Sequence, residues 1–112
     1  MTDIEEIQRS LRKFRDNRDW NQFHDSKNLA SALSIEAAEL NELFLWKTVA
    51  ESEKVEREKL ADEIADVLAY AMMLADRHGL NVKDIMMKKI EKNAAKYPIE
   101  KSKGSSKKYN EL

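Results

Sequence analysis

The chain of 112 residues carries 20 basic and 21 acidic side chains and no cysteine. This near-neutral balance gives no general attraction to nucleic acid polymers or to anionic membranes, and the absence of cysteine excludes disulfides, thiolate chemistry and a zinc ribbon. A chain of this length is expected to form one small domain, which often gains stability by pairing with a copy of itself.

Helix is predicted along nearly the whole chain, because there are only 2 glycines and 1 proline and no long alternation of apolar and polar residues. The fold class is therefore all-α. The first predicted helix covers residues 3–17, where Thr2 and Glu5 have the spacing of a capping box. Its early acids stand where a signal peptide needs an apolar segment, so a cytoplasmic location is expected.

Three further helices follow. The second begins near Ser26, taken as its N-cap, and continues to about residue 48. After the polar stretch TVAESEKVERE, the third covers about residues 56–78, and its apolar run, residues 67–75, is too short to span a bilayer. The fourth begins after Asn81 and stops near Tyr97, because Pro98 disfavours helix in the residue before it.

The predicted domain covers residues 1–98 without an internal boundary, and a basic, Ser-rich tail covers residues 99–112. We expect the second and third helices to lie antiparallel at the centre, with the fourth beside them. The tail has little apolar surface to bury and is expected to be mobile by itself.

Acidic pairs interrupt the apolar stripes of two predicted helices, in SIEAAELNEL (residues 34–43) and ADEIADVLAY (residues 61–70). At 100° per residue, Glu36 falls near the centre of its stripe with Glu39 one turn further along, and Glu63 and Asp66 repeat this arrangement. Burying ionised carboxylates is costly unless a positive charge compensates them. With oxygen ligands only, Mg²⁺ or Mn²⁺ is the expected cation, and Mg²⁺ usually shares its shell with water and substrate phosphates.

Two structural alternatives remain open for these acids. Such pairs often lie on a solvated helix face, because charged side chains are usually exposed. The four acids could also form buried salt bridges with lysines of the fourth predicted helix.

The stretch SIEAAELNELFLWK, followed by LADEIADVLAYAMMLA, resembles the paired E-x-x-E and E-x-x-D motifs of the MazG-like, all-α nucleotide pyrophosphohydrolases. RDWNQFHDSKNLA, KNAAKYP and KGSSKKYNEL resemble the small dCTP pyrophosphatase branch of that family. The resemblance implies a helical bundle completed as a homodimer or homotetramer. It also implies hydrolysis of a nucleoside triphosphate, such as dCTP or a modified pyrimidine deoxynucleotide, to the monophosphate and pyrophosphate, as nucleotide-pool housekeeping.

By that resemblance, Glu36, Glu39, Glu63 and Asp66 are the catalytic residues, and they hold one or more Mg²⁺ ions, with Mn²⁺ as an alternative. The ion binds the triphosphate and lowers the pKa of a water for attack on phosphorus. One of the carboxylates accepts the proton of that water, and the sequence leaves open which one.

Substrate contacts are expected from the fourth predicted helix. Lys89 and Asn93 match the family pattern as donors to the phosphates or sugar. For their neighbours Lys92 and Lys96 a solvated basic face is an equal alternative. Tyr97 either donates a hydrogen bond to the ligand or packs where the helix ends.

Aromatic residues supply the predicted base pocket. Trp46 with His24 is the preferred base-recognition pair by resemblance, with Trp20 as a further ring, since a flat aromatic can stack on a nucleobase. Tyr70 either backs the sugar or packs in the core. Trp20 and Phe23 could instead close the core or a subunit interface.

The tail carries Lys101, Lys103, Lys107 and Lys108, so it either folds over the bound triphosphate or stays solvated. Two other functions are compatible with the same residues. One is a related all-α hydrolase with a different base preference. The other is a non-enzymatic helical module that binds nucleotide or metal for regulation.

Overall fold

The computed structural model describes all 112 residues, and it contains helices and turns but no strand, which confirms the all-α prediction. Six α-helices follow one another along the chain: α1 (Asp3–Asn17), α2 (Ser26–Glu42), α3 (Val49–Ser52), α4 (Arg57–Arg77), α5 (Val82–Lys96) and α6 (Ile99–Ser102). Single 3₁₀ turns form at Asn21–Phe23 and Tyr109–Glu111. None of the helices combines the length and the apolar character needed to cross a lipid bilayer.

Local capping signals determine where α1 and α5 begin. The hydroxyl of Thr2 accepts from the Glu5 N–H at 3.2 Å, and the Glu5 carboxylate accepts from the Thr2 N–H at 3.0 Å, so the predicted capping box is confirmed. The side chain of Asn81 accepts from the Asp84 N–H at 3.0 Å and caps α5 as predicted.

The predicted N-cap of α2 is wrong by one residue. Asp25 is the N-cap, because its carboxylate accepts from the Asn28 N–H at 2.8 Å. Ser26 is instead the first helical residue, and its hydroxyl lies 2.7 Å from the His78 Nε2, at the C-terminal end of α4. The Ser26 side chain, which the local sequence favoured as a cap, therefore contacts His78, a residue far away in the chain.

The predicted C-terminal end of α2, near residue 48, is also wrong. The helix ends at Glu42, and the N–H groups of Leu43, Phe44 and Leu45 then donate to carbonyls only three residues earlier. Trp46 follows in a left-handed conformation with φ of +64°, which no α-helix can pass through. The chain then forms α3, within the polar stretch TVAESEKVERE that separates the second and third predicted helices.

Two compact units make up the chain, Met1–Gly79 and Leu80–Leu112. In the first unit, α2 packs along α4, and α1 packs on α4. The two long helices are antiparallel as predicted, since the beginning of α2 meets the end of α4 through Ser26 and His78. The predicted division between residues 1–98 and 99–112 stays a prediction.

The buried core of the first unit is small and lies at one end of the α2–α4 pair. Leu29, in the first turn of α2, is 2% exposed, and Ala75, in the last turn of α4, is 8% exposed. Many other large apolar side chains stay on the surface, including Ile7, Ile64 and Leu68.

The second unit consists of α5, α6 and the C-terminal residues. Its apolar residues Ile85, Met86 and Ile90 are exposed along α5. The tail has a defined path within this unit, because the Tyr109 ring packs edge-on against Tyr97 with centroids 6.2 Å apart. Tyr97 thus packs where its helix ends, and the proposed closure of the tail over substrate stays a prediction.

Candidate active site

Three of the four predicted acids come together where α2 and α4 face each other. Glu36 and Glu39 stand one turn apart on α2, and Glu63 faces them from the second turn of α4. One carboxylate oxygen from each residue lies within 4.8 Å of the others. We call these three side chains the glutamate cluster.

Asp66 lies beside the glutamate cluster but is not one of the three converging residues. It is one turn further along α4, and its charge acts on Glu36 and Glu63. Its exposed side chain lines an apolar groove with Ile7 and Leu68. The four acids differ in burial: Glu36 and Glu63 are half-buried, whereas Glu39 and Asp66 are exposed.

The glutamate cluster is short of positive charge. The Glu39 carboxylate, which accepts a hydrogen bond from protonated Glu36, raises the pKa of Glu36 to about 7, together with burial and the charges of Glu39, Asp66 and Glu63. Burial, followed by the charge of Glu39, also raises the pKa of Glu63. One oxygen of Glu36 and one of Glu63 are buried without a hydrogen-bond partner. No ion pair involves any of these acids, so the salt-bridge alternative finds no support.

The donor set fits a hard divalent cation. Carboxylate oxygens suit Mg²⁺ and Mn²⁺, and no histidine or cysteine belongs to the cluster. The two unpartnered buried oxygens are the atoms that a cation would satisfy. Because Glu39 is exposed, one side of such an ion would stay open to water or phosphate oxygens.

Trp46 is presented to solvent at the end of α2 nearest the glutamate cluster. Its side chain is 93% exposed, and its backbone is left-handed. That conformation costs roughly 1–2 kcal/mol for a residue with a Cβ atom. An exposed indole held by a strained backbone is a common feature of binding sites.

His24 and Trp20 lie beyond the opposite end of α2. Their rings pack with centroids 6.3 Å apart, and Trp20 also packs edge-on against Phe14 at 5.6 Å. The Nδ1 atom of His24 is buried without a partner, and burial, followed by the charge of Arg15, lowers the pKa of His24.

The predicted base-recognition pair does not meet within one chain. His24 precedes α2 and Trp46 follows it, and a helix of 17 residues spans about 25 Å. The structure therefore separates these two residues by about the length of α2.

The remaining predicted contacts fall on both units. Tyr70 is half-buried on α4, one turn beyond Asp66. Lys89 and Asn93 are exposed on α5, and Tyr97 is its C-cap. Their assignment to substrate stays a prediction.

Sequence analysis did not single out a group of lysines near the glutamate cluster. Lys47, Lys54 and Lys59 line a cavity of about 400 Å³ together with Glu42 and Glu56. Only one pattern in the sequence indicated a lysine near these acids: Lys59 precedes Glu63 by four residues, which places both on one face of α4. Lys54 belongs to the polar stretch that separates the second and third predicted helices, and Lys47 was placed at the end of the second predicted helix.

Residues 31–112 match the sequence model of the MazG-like family. This match covers the glutamate cluster, Trp46 and the whole second unit. The chain belongs to the MazG-like family.

Named relatives agree with this membership. The MazG-like chain is 40% identical to dCTP pyrophosphatase 1 of Rattus norvegicus and to that of Homo sapiens, in each case over 97% of this chain and 67% of the relative. Among solved structures, a pyrophosphatase from Archaeoglobus fulgidus superposes with a TM-score of 0.83 at 41% identity, covering 88% of this chain and 94% of the other. The prediction of a nucleotide pyrophosphohydrolase is confirmed at the level of enzyme class.

Proposed function

We propose that this MazG-like enzyme hydrolyses dCTP, or a modified pyrimidine deoxynucleoside triphosphate, to the monophosphate and pyrophosphate with Mg²⁺ as cofactor. The observation that carries the proposal is the convergence of three carboxylates within 4.8 Å, none of which forms an ion pair with a basic side chain. The pyrimidine preference is supported by the relatives named dCTP pyrophosphatase 1.

In this proposal Glu36, Glu39 and Glu63 hold the metal, and Asp66 joins them from the next turn of α4. Bound Mg²⁺ would neutralise phosphate charge and lower the pKa of a water. The oxygen of that water would bond to a phosphorus atom at the α–β bridge while the bond from that phosphorus to the bridging oxygen breaks, so that the monophosphate and pyrophosphate separate. A carboxylate of this acidic group accepts the released proton.

Base and sugar contacts are assigned to aromatic and polar residues. Trp46 stacks on the base, a contact worth about 1–3 kcal/mol for an aromatic side chain. Since one chain keeps His24 and Trp46 at opposite ends of α2, a base contacted by both would need His24 from a second copy. Lys89, Asn93 and Tyr97 are proposed as donors to the phosphates or sugar.

Association of copies has a separate physical basis. A standard interface takes roughly 800 Å² from each partner. Exposed apolar residues of both units, such as Leu68 on α4 and Ile90 on α5, are available to fill such an interface. We expect a homodimer or homotetramer.

A panel of ribo- and deoxynucleoside triphosphates, incubated with and without Mg²⁺, tests the proposed reaction through its products. Pyrophosphate released in step with nucleoside monophosphate, fastest with dCTP or a modified pyrimidine, is the expected result. Release of orthophosphate would contradict the proposed bond, and absence of turnover across the panel would contradict the enzymatic function. A purine preference would contradict only the assignment of the base.

A further inference from the structure

The cavity lined by Lys47, Lys54 and Lys59 brings three lysines together from three separate parts of the chain. Lys47 follows the left-handed Trp46, Lys54 follows α3, and Lys59 lies in the first turn of α4. The cavity has a volume of about 400 Å³, which is ample for a phosphate group and its water. We call these three residues the lysine cluster.

The positive charge of the lysine cluster is mostly unused. The only ion pair among the cavity residues joins Lys59 Nζ and a Glu56 oxygen at 3.5 Å, a loose contact between exposed side chains. Lys47 and Lys54 form no ion pair. The lining thus contains three lysines and two glutamates, Glu42 and Glu56, so one net positive charge is left for an anion.

The lysine cluster lies next to the glutamate cluster in the same unit. Glu42, at the edge of the cavity, is one turn beyond Glu39, and its charge reaches Glu63. On α4, Lys59 precedes Glu63 by four residues. One helical turn, about 5.4 Å, therefore separates residues of the cavity from residues of the glutamate cluster.

A metal-bound polyphosphate carries a divalent cation near one phosphate and uncompensated negative oxygens on the next. The acidic glutamate cluster and the basic lysine cluster, one helical turn apart, match these two charges. Carboxylates hold a divalent cation and lysines bind phosphate oxygens directly, so one phosphate chain can contact both groups. We infer that Lys47, Lys54 and Lys59 bind the β and γ phosphates and then the pyrophosphate product. This inference rests on the proposed function, because it takes the bond that breaks to lie at the glutamate cluster.

Binding of inorganic pyrophosphate tests the inference without turnover. Calorimetric titration of Mg²⁺ and pyrophosphate into the wild type is compared with Lys47→Gln, Lys54→Gln and Lys59→Gln, and with Lys13→Gln as a matched exposed lysine of α1. Each cluster substitution should raise the Kd for pyrophosphate about 5-fold, as expected for loss of one exposed charge contact. Lys54→Arg should restore part of the affinity, and Lys13→Gln should leave it unchanged.

Nucleoside monophosphate is the second probe, since it lacks the phosphates assigned to the lysines. Its Kd should not change in the cluster variants. A general charge effect, or partial unfolding, would instead weaken the binding of both pyrophosphate and the monophosphate. Equal pyrophosphate affinity in wild type and all three variants, or no binding of pyrophosphate to the wild type, would overturn the inference.

The two proposals fail in different ways. Lysine-dependent pyrophosphate binding by a protein that hydrolyses no nucleotide would overturn the proposed function and support the lysine site. If the protein hydrolyses nucleotide to pyrophosphate but all three variants bind pyrophosphate as tightly as the wild type, the proposed function is supported and the lysine site is overturned.

Discussion

The two ends of the α2–α4 pair differ in how their polar groups are satisfied. Where α2 begins, Arg12 forms a forked pair with Asp76 at 2.6–3.1 Å, and the Arg77 guanidinium donates to the His24 carbonyl at 3.0 Å. This closed end also contains the buried Leu29, and the Nδ1 atom of His24 is its one buried side-chain atom without a hydrogen-bond partner.

Where α2 finishes, the polar groups lack partners. Glu36 and Glu63 keep buried oxygens without hydrogen bonds, and Trp46 is strained and exposed. Natural proteins violate local rules mainly at functional sites. The closed end therefore contributes contacts that stabilise the fold, while the open end keeps unpartnered carboxylate oxygens that oppose it.

The largest expected effect is at the open end. Glu63→Gln keeps the side-chain shape but removes one metal-binding charge, so kcat/KM for the nucleotide should fall about 10³-fold, or about 4 kcal/mol. Steady-state pyrophosphate release measures this. The free energy of unfolding without metal should not decrease, because an uncompensated carboxylate is removed.

Glu58→Gln is the matched control on the same helix, since Glu58 lies in the first turn of α4 outside the glutamate cluster. Its activity should stay close to that of the wild type. Equal activity of Glu63→Gln and wild type would rule out the assignment of Glu63 as a ligand.

At the closed end, truncating the one fully packed large side chain should reduce stability. Leu29→Ala should lower the free energy of unfolding by about 3 kcal/mol, because it removes transfer energy and leaves a cavity. Urea denaturation measures the change, and Lys27→Ala, on the exposed face of the same helix, should change stability by less than about 0.5 kcal/mol. Similar losses for both variants would mean that Leu29 is not the centre of the core.

The pH dependence should separate metal-free from metal-bound protein. The pKa of Glu36 is raised from 4.5 to about 7 in the folded state, so the folded protein retains a proton that the unfolded chain has lost. Without metal, the free energy of unfolding should therefore fall as pH rises from 4.5 to 7 and then level off.

If Glu36 holds Mg²⁺ as proposed, the ion competes with that proton. Its affinity should decrease about tenfold per pH unit below pH 7, if one proton is displaced. Titrations at pH 6, 7 and 8 measure the slope, and Glu36→Gln, which cannot titrate, should flatten the metal-free stability curve. An affinity independent of pH across this range would show that Glu36 does not exchange a proton for the ion.

The smallest expected effect concerns the tie between α1 and α4. Asp76→Asn should lower the free energy of unfolding by about 1 kcal/mol, because a partly exposed, forked ion pair is weakened. Asp16→Asn is the matched control, since Asp16 pairs with the adjacent Arg15 and joins no helices. The two variants are compared at low salt and in 1 M salt. If they lowered the free energy of unfolding equally under both conditions, the Arg12–Asp76 contact would have no specific role.

Features determined by neighbouring residues were predictable from sequence. Thr2 and Asn81 cap their helices as predicted, because cap and helix lie within three residues of each other. Glu36, Glu39 and Glu63 meet because helical periodicity places acids on facing stripes.

Features determined by distant contacts were not predictable. Ser26 and Asp25 are both good caps, and the choice between them involves His78, 52 residues away from Ser26. The turns after Glu42 lead to the left-handed Trp46, and no glycine or proline indicates this end of α2 in the sequence. The lysine cluster draws on three segments whose proximity depends on that unpredicted turn.

The exposed apolar side chains of the two units have a consequence for handling the protein. If copies must associate to cover their apolar faces, folding and assembly are one equilibrium, and dilution shifts it toward unfolded chains. The melting temperature should then rise with protein concentration, and nanomolar assays should lose activity faster than micromolar ones. The folded state of such a protein would be stabilised by a high protein concentration as well as by its sequence.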